Sequence, residues 1–195
     1  MNISFKSSVL FDTKFLQLKQ TSSPDGKGDW VYAHRPNAKD VVVIVPVIHN
    51  KNGASVIFLE TERPPLKAEN KAQRCIELPA GLVGDENSKE TVKDALAKEL
   101  LEETGYEADK ITIQSKNIAS SPGCVSETST IAIADINKDK IKQPPITDNG
   151  IIKNIHKVPV KNLTQWIKEQ EDKGKAISAQ ALSGLFFLIS KLNGQ

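Results

Sequence analysis

The stretch of sequence that decides the fold reads Ser88-Lys-Glu-Thr-Val-Lys-Asp-Ala-Leu-Ala-Lys-Glu-Leu-Leu-Glu-Glu-Thr-Gly105. It predicts one helix, because Asn87 or Ser88 can cap the amino end, and Asn87 with Glu90 fits a capping box. Gly105 suits the left-handed residue that follows many helices. On a helical wheel, four apolar side chains form the stripe that should face the core: Val92, Ala95, Leu96 and Leu100.

Three glutamates of this helix lie where apolar side chains are expected. Glu99 and Glu103 fall in the middle of the stripe, and Glu102 lies at its edge. Buried carboxylates are costly unless a cation compensates them. Lys98, the nearest base in sequence, points away from the stripe on the wheel. Three carboxylates at i, i+3 and i+4 suit a hard divalent cation such as Mg²⁺ or Mn²⁺. The alternative is a solvated acidic patch on a surface helix.

Length and composition limit the classes of protein to consider. The 195 residues are enough for one domain, or for one domain with an appended segment. A net charge of +2 indicates no nucleic-acid surface. Cys75 and Cys124 are typical of reduced thiols in a cytosolic protein. The first residues lack a signal peptide, and no apolar run reaches membrane-spanning length. We therefore expect a cytoplasmic protein without nucleic-acid or membrane partners.

Hydrophobic patterning predicts strands and helices in a mixed order. Short β-like runs occupy 8–11, 15–18 and 30–33, with a hairpin turn at 23–28. Further strands are predicted at 40–49, 54–60, 75–78, 110–114, 128–135 and 151–160, and helices at 162–171 and 178–192. The last helix should bury an apolar stripe made of Ala181, Leu182, Leu185, Phe186 and Ile189. Because strands and helices do not alternate regularly, the class is α+β or mixed-sheet α/β.

The acidic helix also belongs to a spaced motif. Gly84 is followed after five residues by Glu90, and after seven more by the run from Lys98 to Tyr106. This motif resembles the box of the Nudix hydrolases, which reads Gly, five residues, Glu, seven residues, Arg-Glu-apolar-any-Glu-Glu-any-Gly-apolar. Both spacings are kept, and Lys98 takes the place of the family arginine. Lysine keeps the charge but loses the planar fork, which allows for reduced activity.

The resemblance to Nudix hydrolases implies a fold and a metal site. The fold would be α+β, a mixed sheet sandwiched by helices, over residues 39–195. A small N-terminal antiparallel β region would precede it, over residues 1–38. Mg²⁺ or Mn²⁺ would be held by Glu99, Glu102 and Glu103, with the backbone carbonyl of Ala80 as a further ligand. Glu102 and Glu103 would also count among the catalytic residues.

Three further segments resemble the ADP-ribose pyrophosphatases within this family. They are Arg63-Pro64, the strand 77–82 that leads into the box, and the loop 121–127. The resemblance implies hydrolysis of ADP-ribose to AMP and ribose 5-phosphate. It makes Glu127 the residue that positions or deprotonates water, and Pro122 the characteristic proline of these enzymes. Arg63 would contact phosphate or ribose, or else form a structural ion pair with Glu77.

The N-terminal strands resemble the region through which these enzymes dimerise. A homodimer is therefore expected, in which Trp30 stacks on adenine across the dimer or simply packs in the interface. Arg35 would bind substrate or remain a surface arginine, and Phe15 would be a second stacking aromatic. Two other functions stay open. One is cleavage of another nucleoside diphosphate sugar, such as GDP-mannose, and the other is a catalytically silent sensor that binds nucleotide.

Overall fold

A computed structural model describes residues 6–51, 53–85, 87–146 and 150–194. The strands in these ranges are β1 (Ser7–Asp12), β2 (Gln17–Ser22), β3 (Asp29–His34), β4 (Asp40–Asn50), β5 (Gly53–Thr61), β6 (Cys75–Glu77), β7 (Ala80–Val83), β8 (Lys110–Ala119), β9 (Thr128–Ile136), β10 (Ile152–Pro159) and β11 (Ala176–Ile177). The helices are α1 (Pro64–Ala68), α2 (Val92–Thr104), α3 (Leu163–Asp172) and α4 (Ala179–Leu192), and a 3₁₀ turn covers Val160–Asn162.

Two sheets are present in the described part of the chain. β1, β2 and β3 form a small antiparallel sheet in that order. The larger sheet runs β11-β6-β5-β4-β9-β8, with β10 paired to β5 and β7 paired to β4. β4 pairs with β9 in parallel and with β5 and β7 in antiparallel fashion. The predicted mixed sheet and small N-terminal β region are confirmed.

The core lies on both faces of the larger sheet, because successive side chains of a strand point to opposite faces. Val45 of β4 joins the cluster that packs under α3 and α4. Its neighbour Ile44 joins the cluster under α2, together with Leu96 and Leu100. A strand that is covered on both faces reads as a continuous apolar run. The run 40–49 was predicted as a buried strand for that reason, and the prediction is confirmed.

The amino end of α2 differs from the prediction. The cap is Thr91, whose side chain accepts a hydrogen bond from the Asp94 N–H and completes a capping box. Glu90 instead accepts a hydrogen bond from the N–H of Gly84 at 2.9 Å, which ties the preceding loop to the helix. The expected cap at Asn87 or Ser88 was wrong, because the reciprocal capping box of Thr91 and Asp94 starts the helix only at Val92. Gly105 ends the helix with φ of 77°, as predicted.

The buried stripe of α4 is rotated relative to the prediction. Only Ala181 and Leu185 of the five expected residues are buried. The helix turns Gly184 toward the sheet, where a Cβ atom would lie 2.8 Å from Cγ2 of Val45. A glycine carries no apolar signal on a wheel, so the sequence pattern missed this close approach. Three of the predicted core residues are consequently exposed: Leu182, Phe186 and Ile189.

Smaller differences concern short elements and boundaries. The predicted strand at 15–18 begins at Gln17 and extends to Ser22. The segment 63–74, for which no element was predicted, contains the short helix α1, and β11 was not predicted either. The strand that the family resemblance implies at 77–82 is observed as β7, at Ala80–Val83. None of the described helices is long and apolar enough to cross a membrane.

A buried carboxylate links β5 to the region before α4. Glu60 is 6% exposed, and its Oε2 lies 2.8 Å from the Lys175 Nζ and 2.9 Å from the His156 Nε2. Burial opposes ionisation, but the hydrogen bonds with Lys175 and His156 lower the pKa of Glu60 to about 2. The carboxylate therefore favours the folded state only while it is ionised.

This carboxylate predicts a specific dependence of stability on pH. Because the folded pKa of Glu60 lies below its ordinary value of 4.5, its stabilisation is complete above that value and is lost as the pH falls toward about 2. The full contribution is of the order of 3 kcal/mol. Urea unfolding of the wild type and of Glu60→Gln should give free energies that converge on acidification. A difference that stays constant with pH would contradict the prediction.

Candidate active site

A cleft of about 680 Å³ collects residues that are far apart in sequence. Its walls come from the segment after β3, the segment between β5 and α1, strand β7, helix α2 and the residue before β9. Seven of the nine predicted site residues line it: Arg35, Arg63, Ala80, Glu99, Glu102, Glu103 and Glu127. Their roles stay predictions, but the structure brings their side chains or backbone to one place.

Strand β7 and helix α2 place two of the carboxylates against backbone. The N–H of Ala80 donates a hydrogen bond to the Glu103 Oε2 at 2.9 Å. The Glu99 carboxylate lies directly over Gly81, where a Cβ atom would be 2.1 Å from its Oε1. Gly81 therefore makes the space in which Glu99 sits. The spacing of four residues in α2 aligns both carboxylates along the same short strand.

The cleft holds strong negative charge. The pKa of Glu99 is raised to about 7, mainly by burial and also by the negative charges of Glu102 and Asp85, although the positive charge of Lys98 lowers it. Lys98 lines the same cleft, which corrects the expectation that it points away from the carboxylates. A helical wheel shows only the direction in which a side chain leaves the helix. The long side chain of Lys98 reaches from there to the face that carries the carboxylates. One ammonium group does not offset this group of carboxylates.

The donor set in the cleft fits a hard divalent cation. Glu99, Glu102 and Glu103 supply carboxylate oxygens, and Ala80 lies beside them with its backbone. Oxygen ligands of this kind are the ones that Mg²⁺ and Mn²⁺ prefer. Within the described ranges, no three His, Cys, Asp or Glu side chains stand close enough together to hold an ion as they are placed. Metal binding here requires the carboxylates to turn toward one another.

The contact between Gly81 and Glu99 leads to a prediction. In Gly81→Ala, the new methyl group would collide with the Glu99 carboxylate, which is the flexible end of its side chain and would move aside. We expect Mn²⁺ affinity, measured by calorimetry, to fall roughly 10- to 100-fold, with little change in the thermal unfolding temperature. Gly28→Ala is the control, because the nearest atom to its Cβ is 3.9 Å away. Unchanged Mn²⁺ affinity in Gly81→Ala would show that Glu99 does not ligate the ion.

Arg63 fits both alternatives that the sequence left open. Its Nη2 donates to the Glu77 Oε2 at 2.7 Å, and its Nε contacts the same carboxylate. The Glu77 carboxylate is fixed in turn by the Thr61 hydroxyl at 2.9 Å. The structural ion pair is therefore present, and Arg63 lines the cleft at the same time.

Glu127 and Arg35 meet across the cleft wall. Glu127 immediately precedes β9 and Arg35 immediately follows β3. The Arg35 Nε donates to the Glu127 Oε2 at 2.6 Å. Both side chains also line a neighbouring cavity of about 160 Å³. The predicted substrate-binding arginine and the predicted catalytic carboxylate thus neutralise each other in this structure.

Trp30 and Pro122 do not line the cleft, but both belong to the contact between β3 and the loop that leads to Glu127. The Trp30 Nε1–H donates to the carbonyl oxygen of Gly123 at 2.8 Å, next to Pro122 in the same loop. Trp30 is 48% exposed, and Phe15 is 74% exposed. Trp30 contacts the loop of its own chain, and its expected stacking on adenine across a dimer stays a prediction.

Several residues of the cleft were not predicted from the sequence. Ser178, Gln180 and Ile146 line it in addition to Asp85 and Lys98. Ser178 reaches the cleft because its N–H donates to the Ile76 carbonyl, after the parallel pairing of β11 with β6. A two-residue strand leaves no hydrophobic pattern, so the sequence carries no signal for this pairing.

The chain is similar to proteins of one family. The NUDIX domain family matches residues 38–179. An uncharacterized Nudix hydrolase of Schizosaccharomyces pombe is 31% identical over 183 residues, which cover 87% of this chain and 83% of that protein. The chain belongs to the Nudix family, and it is a hydrolase of that family.

Two solved structures share the fold. The crystal structure of an ADP compounds hydrolase has a TM-score of 0.67 at 18% identity, over 98% of this chain and 95% of that one. The NUDIX domain of Shewanella oneidensis NrtR, complexed with ADP ribose, has a TM-score of 0.54 at 14% identity, over 78% of this chain and 86% of that one. At these identities the two structures show the fold alone.

Proposed function

We propose that this Nudix hydrolase cleaves the diphosphate bond of ADP-ribose, giving AMP and ribose 5-phosphate, with Mg²⁺ or Mn²⁺ as the cofactor. The observation that carries the proposal is the single cleft that joins the α2 carboxylates to Arg35, Arg63 and Glu127. Similarity to an ADP compounds hydrolase over nearly the whole chain supports the substrate class.

Each side chain of the cleft has a chemical task in this reaction. Glu99, Glu102, Glu103 and the Ala80 carbonyl would hold the metal, which neutralises diphosphate charge and lowers the pKa of water when it is bound. The guanidinium of Arg35 binds phosphate oxygens by charge-assisted hydrogen bonds, which frees the Glu127 carboxylate. Glu127 then accepts a proton from the attacking water or holds it in line. Arg63, already fixed by its carboxylate partner, presents its remaining N–H donors to the second phosphate or the ribose.

The N-terminal region completes the proposal through nucleobase recognition and assembly. We assign residues 1–38 to this region and residues 39–195 to the Nudix domain. Trp30 offers an exposed aromatic face to a purine beside the loop that carries Pro122.

Eight large apolar side chains of this region are exposed: Val9, Leu10, Phe11, Phe15, Leu16, Leu18, Trp30 and Val31. Such a surface is typical of an interface, and it supports a homodimer. The free thiols Cys75 and Cys124 support a cytoplasmic location.

The test is a panel of nucleoside diphosphates with identification of the products. The purified protein with Mg²⁺ or Mn²⁺ should release AMP and ribose 5-phosphate from ADP-ribose faster than it cleaves GDP-mannose or other nucleoside diphosphate sugars. Faster turnover of another sugar nucleotide would replace the substrate but keep the chemistry. Absence of turnover of every compound in the panel would overturn the proposal.

A nucleotide sensor without activity is the second candidate, because the NUDIX domain of NrtR was solved with ADP ribose. Lys98 in place of the family arginine is the feature of this chain that favours it. Calorimetry with ADP-ribose separates the two functions. Tight binding without release of AMP would favour the sensor, whereas turnover would favour the pyrophosphatase.

A further inference from the structure

We propose that strand β3 is the support that positions Glu127, and that His34 is a positioning residue in this contact. The inference rests on the proposed function, in which Glu127 acts on water. β3 is an edge strand of the small sheet, since the order is β1-β2-β3. Edge strands present unpaired N–H and C=O groups, and here the loop 121–127 uses them.

The backbone contacts run along this edge. The N–H of Ala33 donates to the Cys124 carbonyl at 2.8 Å, and the N–H of Ser126 donates to the Ala33 carbonyl at 3.1 Å. Ala33 and Val125 form a parallel bridge. Three residues of the loop are therefore held by one residue of the strand, directly before Glu127.

Three side-chain contacts extend the same alignment in order. Trp30 contacts Gly123, and the His34 Nδ1 lies 2.9 Å from the Ser126 Oγ. The ion pair of Arg35 with Glu127 follows immediately. Successive residues of β3 and its end therefore contact successive residues of the loop. Glu127 is held by its own carboxylate and by the contacts of Ser126, the residue before it.

Among the residues that the structure describes, the loop 121–127 has little other local support. The N–H groups of Cys124 and Val125 both donate to the Ser121 carbonyl, which forms one tight turn. Residues 121–124 are exposed, so the turn is not buried in the core. A catalytic group needs placement to within roughly 0.5 Å, which a single exposed turn does not provide. The contacts with β3 supply the second point of attachment.

His34 is the informative residue to change. Trp30 and Arg35 are themselves proposed to contact substrate, so changing them would mix binding with positioning. His34 does not line the main cleft but only the smaller cavity beside it. Its contact with Ser126 therefore acts on Glu127 through the loop backbone.

The experiment compares His34→Ala with His34→Gln and with a matched control. His49→Ala is the control, because the His49 Nε2 makes a similar 2.9 Å contact with Asp135 far from the loop. In His34→Ala we expect kcat for ADP-ribose to fall roughly 10- to 100-fold, with KM nearly unchanged. Glutamine, whose amide can still bond the Ser126 hydroxyl, should restore most of kcat.

Hydrogen exchange gives a second readout that does not depend on turnover. Peptides covering 119–128 and 29–35 should exchange faster in His34→Ala than in the wild type, while peptides of β4 and β9 should not change. Unchanged exchange at 119–128 would overturn the inference, and so would an equal loss of kcat in His49→Ala. If the wild type does not hydrolyse ADP-ribose, the proposed function fails, whereas the exchange comparison still decides whether His34 holds the loop.

Discussion

Replacing Glu103 with glutamine is expected to reduce the rate of ADP-ribose hydrolysis roughly a thousandfold, about 4 kcal/mol in the activation barrier. The glutamine carbonyl can still accept the hydrogen bond from the Ala80 N–H, so the helix and strand should keep their contact. What the substitution removes is one of the negative charges proposed to hold the metal. Mn²⁺ affinity should fall together with kcat, and calorimetry with Mn²⁺ measures that effect separately from turnover.

Glu107→Gln is the matched control for Glu103→Gln. Glu107 follows the same helix, is exposed and pairs with Lys142, so its replacement should leave Mn²⁺ affinity and kcat close to wild type. The thermal unfolding temperature of Glu103→Gln should not decrease, because a like charge is removed from a crowded group of carboxylates. Wild-type Mn²⁺ affinity in this variant would exclude Glu103 as a ligand.

Glu127→Gln is expected to reduce kcat by a similarly large factor, roughly 10²- to 10⁴-fold, which is the range for loss of a general base. The amide oxygen can still accept from the Arg35 Nε, so the loop should stay in place. Because Glu127 is not among the proposed metal ligands, Mn²⁺ affinity should be unchanged and KM should change little. This combination separates a group that acts on water from a group that holds the ion.

Glu169→Gln is the control in this case, since Glu169 lies exposed on α3 and contacts only Gln165 among its described hydrogen bonds. Its activity should match the wild type. If Glu127→Gln retains wild-type kcat, the proposed role of Glu127 is wrong. If it instead loses Mn²⁺ affinity, its carboxylate belongs to the metal site rather than to the attacking water.

The elements that sequence alone predicted are those with a strong local pattern. The strands at 40–49 and 54–60 were identified because a strand that is covered on both faces carries a continuous apolar run. The carboxylates of α2 were brought to one face by helical spacing alone. The spacing of the Nudix box also identified Gly84 and Glu90, which precede the helix. These two residues do contact each other in the structure.

The features that sequence did not predict depend on contacts between distant segments. Nothing near Trp30 indicates that it would donate to Gly123, which lies 93 residues further along the chain. Ser178 and Gln180 enter the cleft only because a two-residue strand pairs with β6. The rotation of α4 follows from the missing side chain of Gly184. Helix and strand propensities and hydrophobic periodicity describe neighbours along the chain, so they do not predict pairings between distant segments.

The attachment of the loop to β3 has a consequence for how related sequences can vary in length. One inserted residue between Cys124 and Glu127 would advance an extended chain by about 3.3 Å, which would move the carboxylate past Arg35. Insertions before Ser121 would leave the paired segment untouched, since the preceding strand β8 ends at Ala119. Evolutionary changes in loop length should therefore collect at the β8 end of this connection, while the Cys124–Glu127 segment keeps its number of residues.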